Sequence, residues 1–234
     1  MSIHEGHRFR MKKRFRTEGL DNFNEVNALE LLLFYCVPRQ DTNPLAHKLL
    51  DHFGSFDRVL DATPAELEKI PGVGENVSTF LCLIKESWRY YHISQTHPNQ
   101  NRILSTTEAC GDFLMPRFLG RRDEMVYILC LDAKCKLLCC KEVGEGSVNS
   151  ASVPIRKIVE IALGANATTV VLAHNHPSGI AVPSGEDIMT TRRLNQALCS
   201  VDIGLADHII FADDDYVSMV QSGDFVPGES RIML

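Results

Sequence analysis

The 234-residue sequence has no long apolar run, no CxxC pair, a single tryptophan and no excess of basic residues. A membrane-spanning helix needs about 18 or more consecutive apolar residues. The basic N-terminal segment has no apolar core of signal-peptide length. We therefore expect a soluble, cytoplasmic protein with no membrane segment. The formal net charge of -6 also argues against a protein that binds mainly nucleic-acid phosphates, which would normally be basic.

The eight cysteines do not form the CxxC pairs that are typical of zinc-binding and redox motifs. They are Cys36, Cys82, Cys110, Cys130, Cys135, Cys139, Cys140 and Cys199. Within a strand, Cys139 and Cys140 would point to opposite faces, because side chains alternate along strands. We therefore expect reduced thiols that pack as small apolar side chains.

A polar segment at residues 93–101, rich in Ser, Thr, Pro and Asn, is typical of a linker. Before it, residues 1–92 show the apolar spacing of helices, with Asn43 as a predicted N-cap before Pro44, and Thr63 as another. This block is predicted to be an all-α domain.

After the linker, residues 102–234 alternate between the patterns of strands and helices. A hairpin is predicted around Asp132, and a helix starting near Pro154 precedes a buried strand rich in β-branched residues. A helix capped by Ser184 follows, and then a closing hairpin with an acidic turn. The sequence therefore predicts a mixed α+β protein whose second domain contains both element types.

His174 and His176 form an H-x-H pair at the end of the predicted buried strand. Two residues at this spacing share a face of the strand. The Pro- and Gly-rich loop that follows can fold back and present Asp187, from the first turn of the next helix, as a third metal ligand. Two imidazoles and one carboxylate leave a tetrahedral zinc ion with a position open for water, which is the catalytic pattern. An isolated H-x-H pair also occurs by chance, so the Ser and Asp at fixed offsets are needed for the argument.

The segment HNHPSGIAVPSGED matches the JAMM signature of the MPN domain, H-x-H-x7-S-x2-D, at every defining position. The chain also resembles RadC-like proteins through HNHPSG, PSGED, TRRL and LADHIIF, in that order. The resemblance extends to the N-terminal block through GHRFRMKKRF, PRQDTNPLAHKLL and IPGVG. It implies an all-α helix-hairpin-helix domain followed by an α/β JAMM domain of the MPN, cytidine-deaminase-like fold.

The resemblance also implies the roles of individual residues. The zinc ligands would be His174, His176 and Asp187, and Ser184 would supply a hydroxyl that stabilises an oxyanion. Glu124, just before the first strand of the domain, would be the general acid and base.

The assignment of Glu124 depends on the resemblance. From the residues alone, Asp123, Glu142 and Glu145 remain alternatives, and an acidic residue before a strand is often only a solvated loop residue. With the resemblance, we favour Glu124.

Two other features keep two interpretations each. His208 and Asp207 could support the metal ligands by hydrogen bonds or could bond only to backbone at a strand end. The hairpin at Gly72 and Gly74 could hold a nucleic-acid phosphate or serve for packing or protein contact.

The basic run near the N-terminus could bind nucleic acid or an acidic partner, but such runs are more often solvated tails.

The first functional hypothesis is a zinc-dependent metallopeptidase that hydrolyses amide or isopeptide bonds of a protein or peptide. The alternative, suggested by the DNA-repair label that RadC-like proteins have carried, is a DNA-associated protein in which the JAMM half is accessory. A non-catalytic scaffold is less attractive, because all three ligand positions and the serine are intact.

Overall fold

The computed structural model describes residues 3–95, 102–145 and 153–228. The chain divides into two compact units, Met1–Tyr91 and His92–Leu234. No helix in these described ranges is long and apolar enough to cross a membrane.

The first unit is built from helices, as its apolar spacing predicts. They are α1 (Ile3–Glu18), α2 (Glu25–Cys36), α3 (Asn43–Phe53), α4 (Phe56–Asp61), α5 (Pro64–Leu67) and α6 (Glu75–Gln95), the last of which continues past the end of the unit. Leu29 and Leu33 of α2 pack against Leu49 of α3 and Leu81 of α6, and all four side chains are fully buried. Burial of such side chains contributes about 1.5–3 kcal/mol each, so this core holds the unit together.

The basic N-terminal run is a helix, not a solvated tail. The guanidinium of Arg8 donates hydrogen bonds to the carbonyls of Val37 (2.7 Å) and Phe34 (3.3 Å) at the end of α2. Lys12 lies over the ring of Tyr35, 4.7 Å from its centroid. The last carbonyls of a helix have no intrahelical partner. Arg8 therefore caps α2, and these two cations are engaged within the unit.

Of the two N-caps predicted in the first unit, one is right and one is wrong. Thr63 and Glu66 form a reciprocal capping box at α5, as the sequence predicts. At α3 the N-cap is Thr42, and Asn43 is already helical. The prediction for Asn43 is wrong because its side-chain amide donates to Glu30 of α2 (3.2 Å), and Thr42 precedes it in the cap position.

Part of the predicted linker is helical, and the predicted hairpin is a glycine turn in the structure. Residues 93–95 belong to α6, which meets no proline before Pro98, and residues 96–101 lie outside the described residues. Gly72 adopts φ +106 between α5 and α6, a conformation that glycine permits at little cost. The helix-hairpin-helix prediction is not confirmed, since α5 has only four residues.

The second unit contains a five-stranded mixed sheet with helices on both faces, which confirms the mixed class. Its elements are α7 (Thr107–Phe118), β1 (Met125–Leu131), β2 (Leu137–Glu145), α8 (Ile155–Gly164), β3 (Thr169–Asn175), α9 (Gly185–Cys199), β4 (Gly204–Ala212) and β5 (Asp215–Ser218). The strand order is β2-β1-β3-β4-β5. β3 and β4 are parallel and the other neighbours antiparallel.

Two apolar cores cover the two faces of this sheet. Ile128 and Leu172 contribute to the core beneath α8 and α9, whereas Leu129 and Phe211 contribute to the core beneath α7. Cys139 and Cys140, unpaired like the other six cysteines, pack against opposite cores, as strand alternation predicts. Coverage on both faces explains why β1 and β3 read as continuous apolar segments.

Gly111 allows α7 to approach the closing hairpin. A Cβ atom added at Gly111 would lie 2.5 Å from Cζ of Tyr216, far inside van der Waals contact. We expect Gly111→Ala to lower the free energy of unfolding by about 1–3 kcal/mol, the usual cost of overpacking. The expected loss is opposite in sign to the effect of helix propensity, because alanine normally stabilises a helix by about 1 kcal/mol relative to glycine. Urea unfolding measures the difference.

Gly164→Ala, at the end of α8, is the matched control, because no heavy atom lies within 4 Å of the added Cβ. It should leave stability unchanged or raise it slightly. Tyr216→Ala should relieve the cost of Gly111→Ala in the double variant. A Gly111→Ala protein as stable as wild type would contradict the packing.

Candidate metal centre

Three side chains meet at the carboxyl end of β3, the central strand of the sheet. They come from the end of the strand, the loop that follows it and the start of α9. The Nε2 atoms of His174 and His176 are 2.9 Å apart. Asp187 Oδ1 lies 3.2 Å from the first Nε2, and Asp187 Oδ2 lies 3.4 Å from the second. One potential ligand atom from each residue lies within 4.8 Å of the others. The structure thus brings together the residues that the sequence singles out, and these residues could hold a metal ion.

The local backbone explains how this cluster forms. β3 ends at Asn175, and the backbone N–H of His176 then donates to the carbonyl of Phe211 in β4 (2.7 Å). The loop turns at Gly179, where φ is +80. Nδ1 of His176 lies 3.0 Å from the carbonyl oxygen of Ile180. Because a carbonyl can only accept, Nδ1 carries the proton and leaves the Nε2 lone pair facing the cluster.

Ser184 and Asp187 form a capping box at the start of α9. The Ser184 hydroxyl donates to Asp187 Oδ2 (2.6 Å) and accepts from the Asp187 backbone N–H (3.1 Å). The Ser184 backbone N–H donates to the same Oδ2 (2.8 Å). The structure therefore places the serine hydroxyl on the carboxylate of the third candidate ligand, with its single proton already donated.

The electrostatics of the cluster favour an anionic carboxylate beside the imidazoles. Burial alone would raise the pKa of Asp187, but the contacts with His174 and His176, which are hydrogen bonds when an imidazole is protonated, outweigh it and hold this pKa far below its ordinary value. The hydrogen bond to Asp187 raises the pKa of His176, although burial opposes this. Asp187 is therefore a carboxylate across the physiological pH range.

Glu124 lies directly before β1, in which Val126 pairs with His174 of β3. Its negative charge makes a small contribution to the raised pKa of His176. The side chain of Asn175 forms hydrogen bonds with the backbone on both sides of Glu124. It accepts from the Met125 N–H (2.7 Å) and donates to the Asp123 carbonyl (3.1 Å). An amide side chain can do both, because its oxygen accepts and its nitrogen donates. Sequence reasoning missed Asn175, although its position between the two histidines is a signal that could have found it.

The other acidic residues differ in their surroundings. Asp123 is exposed in the loop before β1. Glu142, on β2, accepts a hydrogen bond from the Tyr127 hydroxyl (2.9 Å), and burial together with this contact raises the pKa of Tyr127 to about 12. The side chain of Glu145 lies outside the described residues.

His208 lies against the cluster, whereas Asp207 does not. His208 Nε2 is 2.7 Å from Nδ1 of His174, and its Nδ1 is 2.6 Å from Oγ1 of Thr191, a residue that sequence reasoning missed. Burial lowers the pKa of His208 well below its ordinary value. Asp207, on the opposite face of β4, accepts hydrogen bonds from Ser218 (2.6 Å) and from the hydroxyl that begins α7.

Comparisons with known proteins agree with this architecture. The family model described as "RadC-like JAB domain" matches residues 104–224. A UPF0758 protein of Ruegeria pomeroyi is 36% identical over 217 residues, covering 93% of this chain and 96% of its own length. A UPF0758 protein of Fusobacterium nucleatum is 32% identical over 224 residues, covering 94% of this chain and 97% of its own. The matches extend over the helical unit as well as the sheet, and the chain belongs to the RadC-like family of JAB-domain proteins.

Proposed function

We propose that this protein is a zinc-dependent metallopeptidase of the JAMM type, which hydrolyses an amide or isopeptide bond in a protein or peptide. The observation that carries the proposal is the convergence of two imidazole nitrogens and one carboxylate at the end of β3. Membership of the RadC-like JAB-domain family supports it.

The donor set fits a catalytic zinc ion. Nitrogen and carboxylate oxygen are ligands that zinc prefers, and three protein ligands are typical of catalytic zinc sites. Nδ1 of His176 is hydrogen-bonded to a carbonyl oxygen, so the lone pair on its Nε2 is available to bind a cation. When bound, zinc lowers the pKa of a coordinated water molecule and polarises a substrate carbonyl.

Glu124 is the proposed general acid and base. Because β1 pairs with β3, the start of β1 lies at the strand end that carries the histidines, and from there the carboxylate would take a proton from the attacking water and return it to the leaving amine. The amide of Asn175 fixes the peptide units on both sides of Glu124, so that the carboxylate starts from one backbone position. Such positioning is what general acid and base catalysis requires.

We propose two duties for Ser184. In the free protein its hydroxyl orients Asp187 through the capping box. During the reaction the same hydroxyl would donate to the oxyanion, the role that the family resemblance implies. The first duty rests on the hydrogen bonds of the described residues, and the second on the signature.

Three cations of the helical unit that could contact a nucleic acid are engaged with other protein groups. Arg8 and Lys12 are engaged with α2. Lys85 forms an ion pair with Asp61, with Nζ 2.7 Å from Oδ1. The residue after the glycine turn is the acidic Glu75. We therefore confine the proposal to the hydrolase.

Metal analysis of the purified protein tests the site. We expect one zinc ion per chain, lost in His174→Ala and retained in His52→Ala, a control at an exposed histidine of the first unit. Zinc at 100 times its dissociation constant should raise the free energy of unfolding by about 2.7 kcal/mol. Wild-type protein that neither contains nor binds zinc after reconstitution would contradict the proposal.

Comparison of the proteomes of cells that contain wild type or His174→Ala should identify accumulated substrates. On such a substrate, Glu124→Gln should keep its zinc and lose turnover by about 10²–10⁴-fold, the usual contribution of general acid and base catalysis. Glu142→Gln is the matched control and should stay active, because Glu142 contacts Tyr127. Full activity of Glu124→Gln would remove Glu124 from its proposed role.

Ser184→Ala separates the two duties of the serine. Loss of an N-cap side chain should lower the free energy of unfolding of the metal-free protein by about 1 kcal/mol. If the hydroxyl also stabilises the oxyanion, kcat should fall about 10²–10³-fold in the zinc-saturated variant. Unchanged stability would contradict the capping duty, and unchanged kcat the catalytic one.

A further inference from the structure

We propose that His208 and Thr191 are positioning residues, which fix the ring orientation and tautomer of His174 so that its Nε2 lone pair faces the metal. The proposal deepens the proposed function and rests on it in one respect, namely that the cluster binds zinc. Neither residue belongs to the H-x-H-x7-S-x2-D signature.

A continuous chain of short hydrogen bonds joins these residues. It begins at the backbone carbonyl of Asp187, to which the Thr191 hydroxyl donates (2.6 Å). It continues from Thr191 Oγ1 to His208 Nδ1 (2.6 Å) and from His208 Nε2 to His174 Nδ1 (2.7 Å). The side chains of Thr191, His208 and His174 are all buried, with at most 6% of each residue exposed. The hydrogen-bond chain is therefore shielded from competing water.

The direction of each hydrogen bond follows from the first. A backbone carbonyl can only accept, so the single hydroxyl proton of Thr191 points to Asp187. Thr191 must then accept from His208, which places the His208 proton on Nδ1. With Nδ1 protonated in the neutral ring, Nε2 of His208 is an acceptor.

His174 therefore donates from Nδ1 to His208. Its remaining nitrogen, Nε2, carries a lone pair and lies 3.2 Å from Asp187 Oδ1, inside the cluster. The protonation pattern that zinc binding needs is thus set by partners on α9 and β4. Histidine ligands of metals commonly donate their other N–H to such a partner.

Two groups of Asp187 lie at the two ends of the hydrogen-bond chain. Its carboxylate is a candidate metal ligand, and its backbone carbonyl accepts the first hydrogen bond of the chain. The hydrogen bonds consequently tie the relative positions of two ligands on different elements, β3 and α9. His176 lacks this kind of support, since its Nδ1 is held by a carbonyl of the exposed loop at Ile180.

Zinc affinity of the full-length protein, measured by competition with a chromophoric chelator, tests the proposal. Loss of a hydrogen-bonded support typically weakens metal affinity 10–100-fold, and we expect this range for His208→Leu and for Thr191→Val. His208→Gln keeps an acceptor near the position of Nε2 and should lose less than His208→Leu. Ser218→Ala removes another buried hydroxyl from the sheet, one that donates to Asp207 and is not part of the hydrogen-bond chain. This variant should bind zinc as wild type does.

Thermal unfolding of each metal-free variant separates positioning from folding. Thr191→Val keeps the shape of the side chain, so it supplies the answer if His208→Leu does not fold. Wild-type affinity in folded Thr191→Val and His208→Gln would overturn the proposal. Equal losses in Ser218→Ala would also overturn it, because a general loss of stability would then explain the effect.

The ring tautomers provide a readout that does not depend on affinity. In two-bond ¹⁵N–¹H correlation spectra, we expect protons on Nδ1 of both His174 and His208. A proton on Nε2 of His208 would reverse the chain and overturn the proposal. If wild-type protein binds no zinc, the proposed function fails, whereas the tautomers in that same metal-free sample still decide the hydrogen-bond chain.

Discussion

β3 pairs with β1 on one side and with β4 on the other, so that His174 lies opposite Val126 and Ile210. The rest of the metal centre depends on this register. Pairing with β1 brings the segment that contains Glu124 to the end of β3, and pairing with β4 places His208 opposite Leu172, on the same face as His174. Because side chains alternate, a slip of one residue would turn the histidine to the opposite face of the sheet.

Apolar cores on both faces of the sheet stabilise this register. Leu172 packs beneath α8 and α9, and Val171 beneath α7, so a slip of one residue would turn each side chain toward the opposite core. Polar groups that reach into these layers are paired: Asn175 with the backbone around β1, and His208 with a histidine and a threonine. Buried polar groups without partners are costly, so these contacts favour the same register.

Much of this arrangement could be predicted from the sequence, because it follows from local patterns. The 2-residue period of H-x-H, the Pro- and Gly-rich loop and the cap at Ser184 are all read within twenty residues. Helix α7 was missed, since Gly111 and Pro116 lie inside it and both disfavour helices in isolation. The position of Asn175 between the histidines marks it as a candidate, but its contacts and those of Thr191 could not be predicted, because their partners lie on other elements and depend on sheet order.

The three candidate ligands turn two nitrogens and a carboxylate toward one another, and all of these groups are Lewis bases. Nδ1 of His174 and Nδ1 of His176 are both engaged elsewhere, which leaves two Nε2 atoms 2.9 Å apart beside the Asp187 carboxylate. Lone pairs at that distance repel unless a positive charge lies between them. A proton supplies this charge when Asp187 raises the pKa of His176, and a zinc ion supplies more of it. Metal and proton therefore compete for the same three side chains, and the supports of each imidazole favour the metal by keeping both lone pairs in place.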